Sequence, residues 1–289
     1  MPTMPSISLR ARVALDKHGF RNTHSLGQNF LLDERLLSSL LDSANVWARE
    51  NVLEIGPGAG VMTALMAERG ANVLAVELDE KLRPVLADVL APWENAQVVF
   101  ADFLKTDTES LIREKFGEAP YIVVANLPYY ITADIIEKLI SLKRPPERIE
   151  IMVQKEAADR LLSSPGQKQW CALAADVRFF GETRVLEEVP PDCFDPAPHV
   201  MSAFIEILRW DENPYRPKDP ALMRKLIRAA FAMRRKTLAN NLKVSFSLDQ
   251  QKAQQVLESA GADLKVRGEA LTLEEMTRVC DALYDVLNA

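Results

Sequence analysis

Four short apolar runs in the first half of the chain, residues 51–55, 72–76, 97–100 and 121–124, each stop on glycines or on a single polar side chain. Helical patterns at 61–68, 80–90 and 133–142 separate or follow them. Apolar strands alternating with helices are what a parallel sheet covered on both faces requires, because each crossover needs a helix and each strand is buried on both sides. That arrangement restricts where a ligand can sit: in an open α/β sheet it lies outside the carboxyl ends of the strands.

Those ends carry Gly56-Pro57-Gly58-Ala59-Gly60, then Glu77, then Asp102, then Asn126. Any one of them could be turn chemistry; four in succession predict a binding site. Glycines at a strand-to-helix turn let a ligand approach the backbone, which singles out Gly56 and Gly58. The spacing is Gly-x-Gly-x-Gly, and Val61 stands where a dinucleotide pattern needs its last glycine, so a nicotinamide oxidoreductase is excluded. Glu77 follows the glycines by about 20 residues, the place from which a carboxylate accepts from both hydroxyls of a ribose. Asp102 is placed to meet the amine of an adenine ring.

Asn126-Leu127-Pro128-Tyr129 offers an amide oxygen, a main-chain carbonyl, a turn stiffened by proline and a flat aromatic face. The exocyclic amine of a base such as adenine is a poor nucleophile because its lone pair is delocalised into the ring. Two acceptors, one on each N–H, would draw that nitrogen toward tetrahedral geometry, and stacking on the aromatic ring contributes roughly 1–3 kcal/mol. Alone, the same four residues could equally form a tight turn with Tyr129 in the core.

Residues 1–24 lack strong periodicity and carry Arg10, Arg12, Lys17, His18, Arg21 and His24, which reads as a mobile basic arm. Gly27-Gln28-Asn29-Phe30-Leu31 either folds over a ligand as a lid or caps the sheet, and Asp33 is a good N-cap for a helix with Leu36, Leu37, Leu40 and Leu41 on one face. Further strands are expected at 149–153, 183–189 and 203–208, the last two as a closing pair, with helices at 155–162 and 169–180. Between the closing strands, prolines stiffen a loop that presents Phe194 either as a second stacking face opposite Tyr129 or as a hydrophobic plug. Residues 209–220 read as a linker. The pattern beyond is helical only, and Thr272 and Glu275 form a capping-box pair.

Net charge is −6 and the pI about 5.3, so bulk charge does not point to nucleic acid. Residues 221–243 nevertheless hold seven basic side chains and no acid: Arg224, Lys225, Arg228, Arg234, Arg235, Lys236 and Lys243. That concentration is a phosphate-binding candidate. Cys171, Cys193 and Cys280 lie far apart, which argues against disulfides or a zinc site and for a reducing compartment. The start has no apolar leader, and no apolar run approaches the roughly 18 residues of a membrane span, so a soluble cytoplasmic protein is expected.

Taken together, these residues resemble the small-subunit ribosomal RNA adenine dimethyltransferases. The resemblance runs nearly end to end, through Ser25-Leu-Gly-Gln-Asn-Phe-Leu-Leu-Asp33, Glu54-Ile-Gly-Pro-Gly-Ala-Gly60, Asn126-Leu-Pro-Tyr129, Met152-Val-Gln-Lys-Glu156, Val189-Pro-Pro191, Phe194-x-Pro-x-Pro198 and Phe231-Ala-Met-Arg-Arg-Lys-Thr-Leu238. The family usually has Lys where His199 stands and Asp where Met201 stands, which bears on the RNA surface. The resemblance implies a Rossmann-like class I methyltransferase sheet with helices on both faces over residues 1–209, the basic arm included, and a small all-helical RNA-binding domain over 210–289. It implies S-adenosylmethionine as cofactor, held by Asn29, Leu31, Gly56, Gly58, Glu77, Asp102 and Asn126. Asn126, Leu127, Pro128, Tyr129 and Phe194 would hold an adenine, and Arg224, Arg228, Arg234, Arg235 and Lys236 the RNA. The implied reaction is two successive methyl transfers to each of two adjacent adenines near the 3′ end of small-subunit ribosomal RNA, during subunit biogenesis. A monomer acting on the immature subunit is expected, with no metal and no membrane. A large-subunit ribosomal RNA adenine methyltransferase of the antibiotic-resistance type would share the chemistry, though the Arg-Arg-Lys-Thr-Leu helix and helical tail favour the small subunit. A DNA adenine methyltransferase commonly carries a recognition domain not seen here, and an assembly factor acting mainly by binding stays open.

Overall fold

The computed structural model describes residues 5–21 and 29–289. Helix α1 (Ile7–Lys17) comes first, then the short strand β1 (Phe30–Leu31) and α2 (Glu34–Ser43). Strands and helices then alternate: β2 (Asn51–Ile55), α3 (Val61–Glu68), β3 (Asn72–Glu77), α4 (Arg83–Leu90), β4 (Ala96–Phe100), α5 (Thr108–Phe116), β5 (Ile122–Asn126), α6 (Thr132–Ile140) and β6 (Arg148–Gln154). After α7 (Lys155–Leu161) and α8 (Ala172–Phe180) come β7 (Gly181–Val189), the short β8 (Phe194–Asp195) and β9 (Ser202–Arg209). The chain ends on α9 (Pro220–Ala232), α10 (Leu238–Phe246), α11 (Gln250–Ser259) and α12 (Leu273–Leu287).

The main sheet runs β4-β3-β2-β5-β6-β9-β7, parallel from β4 to β6, with β9 antiparallel to β6. Strand β2 lies between β3 and β5, so the order reverses there, and a crevice opens at the carboxyl ends of these strands. The four predicted strands in the first half are present within a residue or two. Their interiors, such as Val73, Leu74, Ala75, Val123 and Val124, are fully buried, as two-sided coverage demands.

The chain divides into two compact units, residues Met1–Ala158 with Arg184–Arg209, and residues Asp159–Thr183 with Trp210–Ala289. In the first, the Asp33 carboxylate accepts from the Arg35 and Leu36 N–H groups and starts α2. That fixes the helix so that Leu37, Leu40 and Leu41 are buried, each worth about 1.5–3 kcal/mol. Gly60 starts α3 at φ +79°, and a Cβ there would lie 2.8 Å from Leu86, so both backbone and space demand glycine.

In the second unit, Trp170, Ala174, Ala175 and Phe179 share one core with Leu222, Met223 and Leu226 of α9 and Val279 and Leu283 of α12. The expected boundary at 209/210 is therefore incomplete, because residues 159–183 belong to the helical unit. Thr272 and Glu275 form the predicted capping box.

One further expectation is corrected. Residues 7–17 are helical, not a mobile arm: Ile7, Ala11 and Ala14 are buried along one face. Lys17 and His18 both reach Asp88 of α4, at 2.7 and 2.8 Å, and Arg10 lies over the Trp93 ring. Helix α5, which periodicity does not predict, fills the crossover between β4 and β5, with Asp107 as its N-cap.

Candidate active site

A cleft opens at the carboxyl ends of β2, β3, β4 and β5. It is lined by Asn29 and Leu31 from the segment before α2, by Gly56 and Gly58, and by Glu77, Asp102, Asn126, Leu127, Pro128 and Tyr129. Residues scattered over a hundred positions of sequence thus meet because parallel strands all point their carboxyl ends the same way.

The glycine turn and Glu77 are one device. Gly58 has φ +56°, and a Cβ on it would lie 3.0 Å from the Phe30 ring. Its N–H donates to Glu77 Oε2 at 3.1 Å, while Glu77 Oε1 accepts from the Asp79 N–H at 2.8 Å. Burial pushes the Glu77 pKa above the ordinary carboxylate value, and these main-chain N–H groups pull it back. Asp102 sits nearer solvent; its Oδ2 lies 3.0 Å from the Lys105 ammonium, which holds its pKa below the ordinary value.

Asn126 ends β5. Its Nδ2 donates to the main-chain carbonyl of Asn29 at 3.1 Å, tying the strand end to the segment before α2. With Nδ2 so engaged, Oδ1 accepts from no described residue, and neither does the Leu127 carbonyl. Pro128, at φ −59°, turns the chain into a single 3-10 turn, Tyr129–Ile131. Tyr129 is half-buried, and its phenol meets the fully buried Ser202 hydroxyl of β9 at 2.7 Å. The ring is therefore held at both ends, by its own backbone and by a strand 73 residues away.

Phe194 lies elsewhere. Its ring is 5% exposed in the core, β8 pairs it with Leu31 of β1, and it does not line the cleft. In this arrangement the ring packs with the core and does not face Tyr129 across the cleft lining. Gly27 and Gln28 of the expected lid fall outside the described residues, whereas Asn29 to Leu32 do border the cleft.

Glu54 carries no strong signal in sequence, although it stands two residues before the glycines. It lines the cleft, is 2% exposed, and its Oε2 accepts from the Thr63 hydroxyl at 2.6 Å. Burial, with the Glu77 charge adding, pushes its pKa up to about 8. A carboxyl whose folded-state pKa lies above its unfolded value favours the native state most at low pH and loses that contribution as pH rises through the folded value. Between about pH 4.5 and about 8, Glu54 should therefore draw stability down. Glu54→Gln, which keeps the acceptor and cannot ionise, should melt closer to wild type at pH 5 and above it at pH 9. Parallel melting shifts at both pH values would show that Glu54 keeps an ordinary pKa.

The basic side chains of the helical unit divide into two groups. Arg224 is partly buried, 3.3 Å from the Asp176 carboxylate, and Arg234 pairs with Glu269 at 2.6 Å. Arg228 is exposed, 4.0 Å from Asp176. Arg235 and Lys236 are exposed on the turn between α9 and α10 and make no ion pair among the described residues. Among the described residues, no group of three His, Cys, Asp or Glu could hold a metal ion, and no helix is long and apolar enough to cross a membrane.

A model of the family described as ribosomal RNA adenine dimethylase matches residues 19–281. A protein of Lachnoclostridium phytofermentans named ribosomal RNA small subunit methyltransferase A is 42% identical over 272 residues, covering 93% of this chain and 94% of its own. One of the same name from Bacillus licheniformis is 39% identical over 283 residues, covering 96% and 97%. Among solved structures, a dimethyladenosine transferase from Plasmodium falciparum aligns with TM-score 0.70 at 22% identity, covering 85% of this chain and 94% of that one. The 23S ribosomal RNA methyltransferase ErmE aligns with TM-score 0.64 at 24% identity, covering 89% and 100%. These two likenesses establish the fold, a mostly parallel sheet of the class I methyltransferase type.

Proposed function

The chain belongs to the ribosomal RNA adenine dimethylase family, and from that premise we propose its substrate, cofactor and chemistry. It transfers methyl groups from S-adenosylmethionine to the exocyclic amines of two adjacent adenines near the 3′ end of small-subunit ribosomal RNA. The small subunit is favoured over the large because the relatives named for it share 39–42% of their residues with this chain. The observation that carries the chemistry is the pairing of Asn126 Nδ2 with the Asn29 carbonyl, which leaves the amide oxygen and the Leu127 carbonyl as two acceptors beside the Tyr129 ring.

S-adenosylmethionine fits the cleft's residues: Glu77 is a carboxylate fixed by main-chain donors for a ribose, Gly58 keeps a close approach open, and Asp102 borders the place for an adenine. The cofactor supplies a methyl already activated on a sulfonium, so the protein's task is alignment and electrostatics. Asn126 and Leu127 orient the amine, Tyr129 holds the base flat, and neither acceptor is basic enough to keep the displaced proton, which passes to water. The target base must leave its stack to enter. Arg228, Arg235 and Lys236 are exposed and suited to binding phosphates, and the work takes place in the cytoplasm where subunits mature. The test is mass spectrometry of ribosomal RNA from immature small subunits before and after incubation with protein and cofactor. Dimethylated adenines on small-subunit RNA are expected; none, or methylation of large-subunit RNA alone, would reject the assignment.

Glu77→Ala removes the ribose partner. It should weaken cofactor binding by roughly 1.5–3 kcal/mol, the range for hydrogen bonds to a charged group. Calorimetry showing wild-type affinity would remove Glu77 from the site.

A further inference from the structure

Lys138 of α6 is bound to the loop that follows β4. Its Nζ donates to three main-chain carbonyls, those of Phe103 at 2.5 Å, Leu104 at 3.2 Å and Thr106 at 2.7 Å. It also lies 4.9 Å from the centroid of the Phe103 ring. That loop brings Asp102, Phe103 and Leu104 to the cleft. Within the loop, the Asp102 carboxylate accepts the Leu104 N–H, and its carbonyl accepts the N–H groups of Lys105 and Thr106 and the Thr106 hydroxyl. The loop's donors thus turn inward onto Asp102, and three of its carbonyls turn outward onto one ammonium. Three carbonyl dipoles aimed at one point repel one another unless a positive charge lies between them. Burial draws the Lys138 pKa below its ordinary value, and the carboxylates of Asp102 and Asp107 support the charged form.

We propose that Lys138 is a positioning residue for the cofactor: its ammonium is a fixed cation that templates the 102–106 loop and so sets where Asp102, Phe103 and Leu104 meet the adenine ring. The proposal rests on the reading that the cleft takes S-adenosylmethionine. A lysine that merely packed a helix against a loop would be replaceable by an apolar side chain of the same length. A templating cation would not be, and a small cation from solution could take its place.

The test is calorimetric titration of the full chain with S-adenosylhomocysteine, for wild type, Lys138→Ala and Lys138→Met. Each is measured in sodium chloride and in methylammonium chloride at equal ionic strength, beside a melting curve. Both variants should bind about tenfold more weakly or worse, since each removes three hydrogen bonds to a charged group. Methylammonium should restore part of the affinity of Lys138→Ala and none of that of Lys138→Met, whose side chain fills the space without a charge. Affinities within about twofold of wild type would overturn the proposal, and so would a loss in Lys138→Ala that methylammonium leaves untouched. Should Lys138→Ala fail to fold, Lys138→Met decides alone: weaker binding at a preserved melting temperature supports the proposal, and unchanged binding ends it. A wild-type protein that binds no S-adenosylhomocysteine would instead overturn the cofactor reading on which the proposal stands.

Discussion

Asn126→Ala should lower single-turnover methyl transfer by about two to three orders of magnitude, the effect of removing one preorganised transition-state hydrogen bond. The variant should still fold. Asn126 is only partly buried, and the one hydrogen bond its side chain makes among the described residues, to the Asn29 carbonyl, is worth about 1 kcal/mol. The alternative, that Asn126 merely shapes a turn, predicts that stability and activity fall together. Asn126→Asp separates donor from acceptor. It keeps an oxygen for the amine but sets a carboxylate against the Asn29 carbonyl, so it should disturb the 29–32 segment and weaken cofactor binding more than it slows the bound complex. Tyr129→Phe keeps the ring but releases it from Ser202; it should stay largely active, while Tyr129→Ala should not. The measurement is transfer at saturating cofactor and subunit, with a melting curve for each variant. A near-wild-type rate for Asn126→Ala would end the amine-acceptor proposal.

What sequence can reveal about this site follows from where strands end. Glu77, Asp102 and Asn126 are legible because each closes an apolar run, and parallel pairing brings such ends together whatever the residues between them. The partners that fix those groups are not legible. Ser202 is 73 residues from Tyr129 and on a strand inserted between β6 and β7, so no local pattern links the two. Lys138 looks like any solvated helix lysine until the loop after β4 is seen to turn its carbonyls toward it. Phe194 is open to two roles in sequence, and only the pairing of β8 with β1 places its ring in the core. The α8 segment shows the same limit from the other side. Its apolar face is visible, but nothing local says whether such a face meets a sheet or, as here, the helices α9 and α12. The N-terminal helix escapes sequence for a different reason: two of its three buried residues are alanines, which give a periodic pattern little contrast.

Those tertiary partners also sharpen what the basic segment should do. A run of seven cations without an acid in sequence looks uniform, yet Arg224 and Arg234 are already paired with Asp176 and Glu269. Neutralising Arg228, Arg235 and Lys236 together should weaken small-subunit binding and flatten its salt dependence, by about 0.7–0.9 log unit of slope for each phosphate that is no longer neutralised. The fold should survive, because these side chains are exposed, surface charges of this kind contribute little to stability, and Asp176, 4.0 Å from Arg228, keeps Arg224 at 3.3 Å. Arg224→Gln should behave in the opposite way. It takes a cation from a carboxylate that is only 4% exposed, a penalty on the order of 3 kcal/mol for a buried pair, so melting should fall first. The slope of binding against salt should then change only as far as unfolding removes competent protein. Equilibrium binding to immature subunits at several salt concentrations, beside melting curves, distinguishes the two variants. If the triple variant keeps the wild-type slope, the RNA phosphates lie against another surface, and the exposed turn between α9 and α10 is only a solvated one.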